Sequence, residues 1–151
     1  MRSPTLLTNL TLAYSAGAVA SALNTNDDSN IIDMAGFEGV IFLSTIEDSV
    51  ATGVASMIVE QNAANSGAGM AALSGAVATL TCGSTDDLNG KVLAVDVYRP
   101  KERYLRVNRT SSVANIAFGS VTAIRYGQRV TPTPDTAATG DLVSVTSPIE
   151  T

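Results

Sequence analysis

The chain has no histidine and no tryptophan, and a single cysteine among its 151 residues. Each absence closes a class of function. Without histidine there is no Ser-His or Cys-His nucleophile pair, the commonest general base is missing, and most zinc sites are excluded. One cysteine allows no intrachain disulfide and no thiolate cluster. Cys82 ends the apolar run Val77-Ala78-Thr79-Leu80-Thr81 and reads as a small core residue rather than a reactive thiol. Without tryptophan, a sugar-binding face lacks its best platform. No Walker-type loop and no G-x-G-x-x-G is present. No run of 18 apolar residues could cross a membrane, and the first seven residues lack the sustained apolar core of a signal peptide.

Charge is also scarce. Charged residues make up 15% of the chain against 45% hydrophobic, well below the usual quarter. Small residues fill the gap, so the expected surface is smooth and nearly neutral, suited to packing against copies or partners. The net charge of −5 argues against nucleic acid, whose phosphates need Lys and Arg. The cations are unevenly spread. Lys91, Arg99, Lys101, Arg103, Arg106, Arg109, Arg125 and Arg129 are eight of the nine, and most acids precede them. One basic patch on an acidic body is the expectation.

The chain length suits one domain, with roughly 70% of the unfolded surface buried on folding. Along it, strand patterns recur about every ten residues. Residues 5–14 alternate imperfectly, and residues 15–22 read as helix or extended chain, with Gly17 favouring the latter. Asn24 to Asn30 reads as a turn around Asp27-Asp28. Ile31 to Met34 is a short strand. Val40 to Ile46 is β-branched and continuous enough for a strand buried on both faces, ended by Glu47-Asp48-Ser49. Residues 52–61 and 70–82 are further strands separated by a small-residue loop. Asn89-Gly90 signals a hairpin. Lys91 to Arg99 alternates cleanly, and Tyr104 to Val107 returns with Tyr104 and Arg106 on one face and Leu105 and Val107 on the other. Thr110-Ser111-Ser112 reads as a turn. Val113 to Tyr126 holds one or two strands, with Gly119 marking a bulge. From Gln128 onward the pattern gives way to a Pro- and Thr-rich arm.

These patterns predict an all-β fold: an antiparallel β-sandwich, jelly-roll-like, with extended N- and C-terminal arms. The single domain is expected over 1–129, with 1–28 partly an N-terminal arm, and the C-terminal arm over 130–151.

The acidic pairs Asp27-Asp28, Glu47-Asp48 and Asp86-Asp87 read as solvated turn residues, since neighbours on a strand face opposite ways. Asp86-Asp87-Leu88-Asn89-Gly90 offers oxygen ligands but lacks the spacing and distal Glu of a calcium loop. No catalytic, cofactor-binding or metal-ligating residue is expected, and no enzyme. The most informative stretch is Tyr98 to Arg109, which concentrates Arg99, Lys101, Arg103, Arg106 and Arg109 around Tyr98 and Tyr104. It reads either as a solvated hairpin or as a docking patch for an acidic protein surface. Tyr and Arg are enriched at interface hot spots, so Arg99, Lys101, Arg103, Tyr104, Arg106 and Arg109 are the candidate interaction residues.

Three stretches carry a family resemblance: Gly36-Phe37-Glu38-Gly39-Val40-Ile41-Phe42, then Val95 to Lys101 running into Arg103-Tyr104-Leu105-Arg106, then Ala123-Ile124-Arg125-Tyr126-Gly127. On these the chain resembles the head decoration, or cement, proteins of tailed bacteriophages. The resemblance implies a β-rich domain made in the host bacterial cytoplasm and placed on the capsid exterior. There a homo-oligomer, a trimer or else a dimer, clamps neighbouring subunits of the major capsid protein. It carries over no site residues, and with the acidic charge and the lack of an apolar span no cofactor, no nucleic acid and no membrane is expected. Alternatives are a head-tail connector or tail-tube subunit, separable by copy number per particle, and a carbohydrate-binding module, weakened by the missing tryptophan.

Overall fold

The computed structural model describes residues 10–129. The remaining parts of the expected arms, 1–9 and 130–151, lie outside the described residues. Among the described residues, ten strands form two sheets. The first sheet contains β1 (Leu10–Ala16), β2 (Val19–Ala22), β5 (Gly39–Ser49), β8 (Val92–Tyr98) and β10 (Ile116–Tyr126). The second contains β3 (Asn26–Asp28), β4 (Ile32–Asp33), β6 (Val54–Asn62), β7 (Ala71–Thr81) and β9 (Tyr104–Ser112). Every pairing is antiparallel, and no helix occurs among the described residues. The expected antiparallel sandwich is therefore the observed one.

The strand order is β1-β10-β5-β8 in the first sheet and β3-β9-β6-β7 in the second. β1 and β2 lie end to end along β10, and β3 and β4 lie end to end along β9. Each pair is one strand interrupted, so the described residues make eight strand units. Numbered along the chain, they run 1-8-3-6 in one sheet and 2-7-4-5 in the other.

Period-two alternation fills the space between the sheets. Val40, Phe42 and Ile46 of β5, Leu93 of β8, and Phe118 and Val121 of β10 are at most 1% exposed. They face Ala55, Met57 and Val59 of β6 and Leu105 and Val107 of β9, all fully buried. Cys82 joins this core, as expected of a small apolar side chain.

Several local expectations are corrected. Asn26–Asp28 is a strand, because Asp27 lies opposite Arg109 and Asp28 opposite Asn108, and cross-strand partners override turn propensity. Glu47-Asp48-Ser49 and Thr110-Ser111-Ser112 continue β5 and β9 for the same reason: Asp48 and Ser49 are paired with β10, and Thr110 to Ser112 with β6. β5 is not buried on both faces. Its inward residues are buried while Ile41 and Leu43 on the outer side remain half-exposed. Neither expected hairpin exists. Asn89-Gly90 does turn, with Gly90 at φ 75, but it joins β7 to β8 across the two sheets. The Pro100–Arg103 turn likewise joins β8 to β9 across the sheets. Gly119 is the expected bulge, at a register shift between Phe118 and Val121. A Cβ there would collide with the Thr45 and Glu47 side chains, so any larger residue at the bulge must push both aside.

Candidate functional site

The six candidate residues come from one sequence stretch, yet the sandwich sends them to three places. Arg99, Lys101 and Arg103 sit on the crossover at one end. Tyr104 and Arg106 lie on the outer side of the second sheet. Arg109 points inward and is fully buried, which removes it from any docking surface. Alternation decides this: Leu105, Val107 and Arg109 share the inward face of β9.

Arg109 reaches from the second sheet into the first. Its Nη2 donates to Gly17 O at 2.7 Å and to Asp27 Oδ2 at 2.5 Å, and its Nε donates to the same carboxylate oxygen at 3.1 Å. Its Nη1 donates to Ser44 Oγ at 3.3 Å and also to Gly119 O, the carbonyl exposed by the bulge. The guanidinium stacks near the Phe118 ring. A buried charge survives only when paired and hydrogen-bonded, and here one cation ties β9, β3, β5, β10 and the β1–β2 link together. Asp27, expected as a solvated turn residue, is the counter-ion.

Arg106 belongs to a ladder on the outer face of the second sheet. Its Nη1 meets Asp28 at 2.7 Å and its Nε donates to Glu60 Oε2 at 2.6 Å. Next to it, Asn108 Nδ2 donates to Asn26 Oδ1 and Asp28 Oδ1, both at 2.6 Å, and Ser56 and Thr79 share a hydroxyl bond at 2.9 Å. Arg103 is neutralised as well, in a two-pronged pair with Asp33 at 2.8 and 2.7 Å. That bond, more than any other contact, lowers the Asp33 pKa below 3.8.

Of the cations that form no ion pair among the described residues, three gather at one end, while Lys91 precedes β8 at the other. Arg99, at φ 51, packs its guanidinium beside the Tyr98 ring and donates its backbone N–H to Glu38 O at 2.7 Å. Lys101 is exposed. Arg129, following β10, donates its backbone N–H to Gly36 O at 3.0 Å. Among the described residues, none of these three side chains forms an ion pair. They rim an open depression of about 360 Å³, floored by Met34, Phe37 and Pro100 and shared with Glu38, Glu102 and Arg103. Arg129 was missing from the sequence-based set. Only the return of β10 beside β5 brings it next to Gly36, and no sequence signal marks that.

The Asp86-Asp87 loop folds back on itself. Asp87 Oδ1 accepts from Gly83 N at 2.9 Å and from the Cys82 thiol at 3.1 Å. These bonds, the backbone one foremost, lower the Asp87 pKa. Among the described residues, no group of three or more acidic or cysteine side chains is placed to hold a metal.

No family model matches the chain, and no curated protein matches it. Ten solved chains do. The PBSX exported protein XepA matches with a TM-score of 0.50 and 14% identity over 96% of this chain and 46% of that one, so the chain spans about half of XepA's length. A chain from a study of Bacillus endospore appendages, a family of disulfide-linked pili, matches with a TM-score of 0.44 and 12% identity over 85% of this chain and 98% of that one. The PRD1 vertex protein P5 matches with a TM-score of 0.45 and 14% identity over 80% and 98%. XepA and P5 are both phage-related. At these identities, what the chain shares with XepA is the fold.

Proposed function

We propose that this chain is a structural virion protein of a phage that binds the outside of the capsid and stabilises it by clamping neighbouring major capsid subunits, without catalysing a reaction. The 1-8-3-6 and 2-7-4-5 strand order supports a jelly-roll winding for the domain. One observation carries the docking part: Arg99, Lys101 and Arg129 converge without carboxylate partners on one end of a protein whose net charge is −5. Everywhere else the described arginines with ion pairs are satisfied internally. A local cationic rim on an acidic body steers toward an acidic surface and sets register there. Many copies on one shell, each held modestly, stabilise it by effective concentration.

The test is occupancy on capsids prepared without the protein, titrated with wild type and with the Arg99→Glu, Lys101→Glu, Arg129→Glu triple variant. Wild type should fill hundreds of sites per particle, and the variant should lose most of its occupancy at low salt. Six or twelve copies per particle would move the protein to a connector or tail tube. Wild-type occupancy by the variant would overturn the role of the basic rim.

A further inference from the structure

The outer face of the first sheet is mainly apolar across its four strands. Cross-strand register sets out its rows. Leu10, Tyr126, Gly39 and Tyr98 stand side by side, then Leu12, Ile124, Ile41 and Asp96, then Tyr14, Thr122, Leu43 and Ala94, and Thr45 pairs with Val92 beyond them. Tyr14, Tyr98 and Val92 are more than half exposed. The one charged side chain in these rows is Asp96, and Glu47, the next outward residue on β5, accepts a bond from the Thr45 hydroxyl at the margin beyond the last row. Asp96 lies on the edge strand β8, where its carboxylate accepts a 2.7 Å hydrogen bond from Tyr126 Oη. That bond also holds the Tyr126 ring flat over Gly39, where a Cβ would strike it.

Four strands about 4.8 Å apart and four side-chain rows about 6.8 Å apart give a face of about 500 Å². That is at the upper end of the patches monomers expose, and a stable interface needs about 800 Å² per partner, so this face supplies the apolar centre and leaves a polar rim to its margins. We propose that it is a self-association surface, on which two copies of this chain stack sheet against sheet about a two-fold axis. Charge selects the occupant. Any partner must lack charge where it meets these rows, or it strands an ion there. The second sheet's outer face does not qualify, since it carries Arg106, Asp28 and Glu60. The first sheet's face does, and a two-fold pairing needs only one patch, matched to itself. Face-to-face packing of twisted sheets is the same geometry that closes the sandwich inside each copy. Asp96, at the sheet edge, stays at the rim of the pair.

This inference concerns self-association alone, and its test uses no capsid, so it can fail without touching the docking proposal. Sedimentation velocity of the full chain over a concentration series should show a monomer–dimer equilibrium. The Tyr14→Glu, Val92→Glu double variant should raise the dimer dissociation constant about thirtyfold or more, as for the loss of interface hot spots. Val77→Glu, at a comparably exposed position on the second sheet, should leave it unchanged. Circular dichroism checks folding, and if the glutamates unfold the chain, Tyr14→Ser with Val92→Ser carries the same comparison. A wild-type monomer at every concentration overturns the proposal. The labelling rate of a Val92→Cys thiol then tells whether the chain's own terminal residues or nothing covers the face. A dimer broken by Val77→Glu and spared by the Tyr14 and Val92 changes also overturns it.

Discussion

The two sheets share one core and turn different surfaces outward. The second sheet's outer side is a ladder of paired polar groups, with Arg106 between Asp28 and Glu60, Asn108 between Asn26 and Asp28, and Ser56 with Thr79. The first sheet's outer side is mostly tyrosine, leucine, isoleucine and valine, with two threonines in its rows and two carboxylates, Asp96 bonded to Tyr126 and Glu47 bonded to Thr45 at the margin. A sheet face that water covers for the life of the protein carries polar residues with their partners in place. A face destined for burial has no need of them. The contrast teaches that a chain can declare an interface by what it leaves off one sheet while fully equipping the other.

That division depends on fixed register in both sheets, because a slip of one residue exchanges the faces. The strongest way to break it is at Arg109, which crosslinks them. Arg109→Met removes the cation, strips Asp27 of its counter-ion and leaves the Gly17 carbonyl and the Ser44 oxygen without that donor, while Gly119 O keeps only its bond from Ser44 Oγ at 3.2 Å. The expected loss is about 3–5 kcal/mol of unfolding free energy in urea titration. A loss under about 1 kcal/mol would mean a hydrophobic isostere replaces the charge without cost, an outcome known for buried ion pairs.

Next in size is Arg106→Ala, which strips the ladder of its cation. Arg106 and Glu60 are largely buried side chains, so the expected cost is about 1–2 kcal/mol. Dimer dissociation should not change, since this face stays wet. A shift in self-association with Arg106→Ala would erase the distinction between the two faces.

The smallest effects come from pH, and the two sides respond at opposite limits. The Tyr126 phenol is pushed up to about 12, first by burial and then by its bond to Asp96. Its folded pKa is raised, so its stabilising contribution is complete below pH 10 and lost as pH climbs toward 12. Asp33, in the second sheet's edge strand β4, has a lowered pKa. Its contribution is complete above the unfolded value of 3.8 and is lost as pH falls through the folded one. In thermal melts, Tyr126→Phe should abolish part of the alkaline decline and leave the acid limb intact. Asp33→Asn should do the reverse, weakly, because that pair is exposed.

Much of the fold was legible in the residues. The alternation of Val92 to Tyr98 and of Tyr104 to Val107 placed the right side chains inward, and Gly119 announced its bulge. The polar strand Asn26–Asp28 was illegible, because nothing local makes Asn-Asp-Asp extended. Its partners Thr110, Arg109 and Asn108 lie about eighty residues away in the sequence. The basic segment showed which residue types gather but not where they go. Arg103 and Arg106 find carboxylates from β4, β3 and β6, Arg109 goes inside, and Arg129 arrives from the far end of the described chain.

By itself, then, the sequence determined the class of architecture, the scarcity of charge, the want of histidine-based chemistry and the inward face of most strands. All of these follow from composition and period two, which act within a few residues. Tertiary structure alone decided that two expected hairpins are crossovers, that one arginine is a buried crosslink and that three others stay unpaired around one depression. It also decided that the outer residues of β1, β10, β5 and β8 add up to one apolar face. Register between strands distant in sequence sets all of these, and that register is fixed only when both sheets close on the shared core.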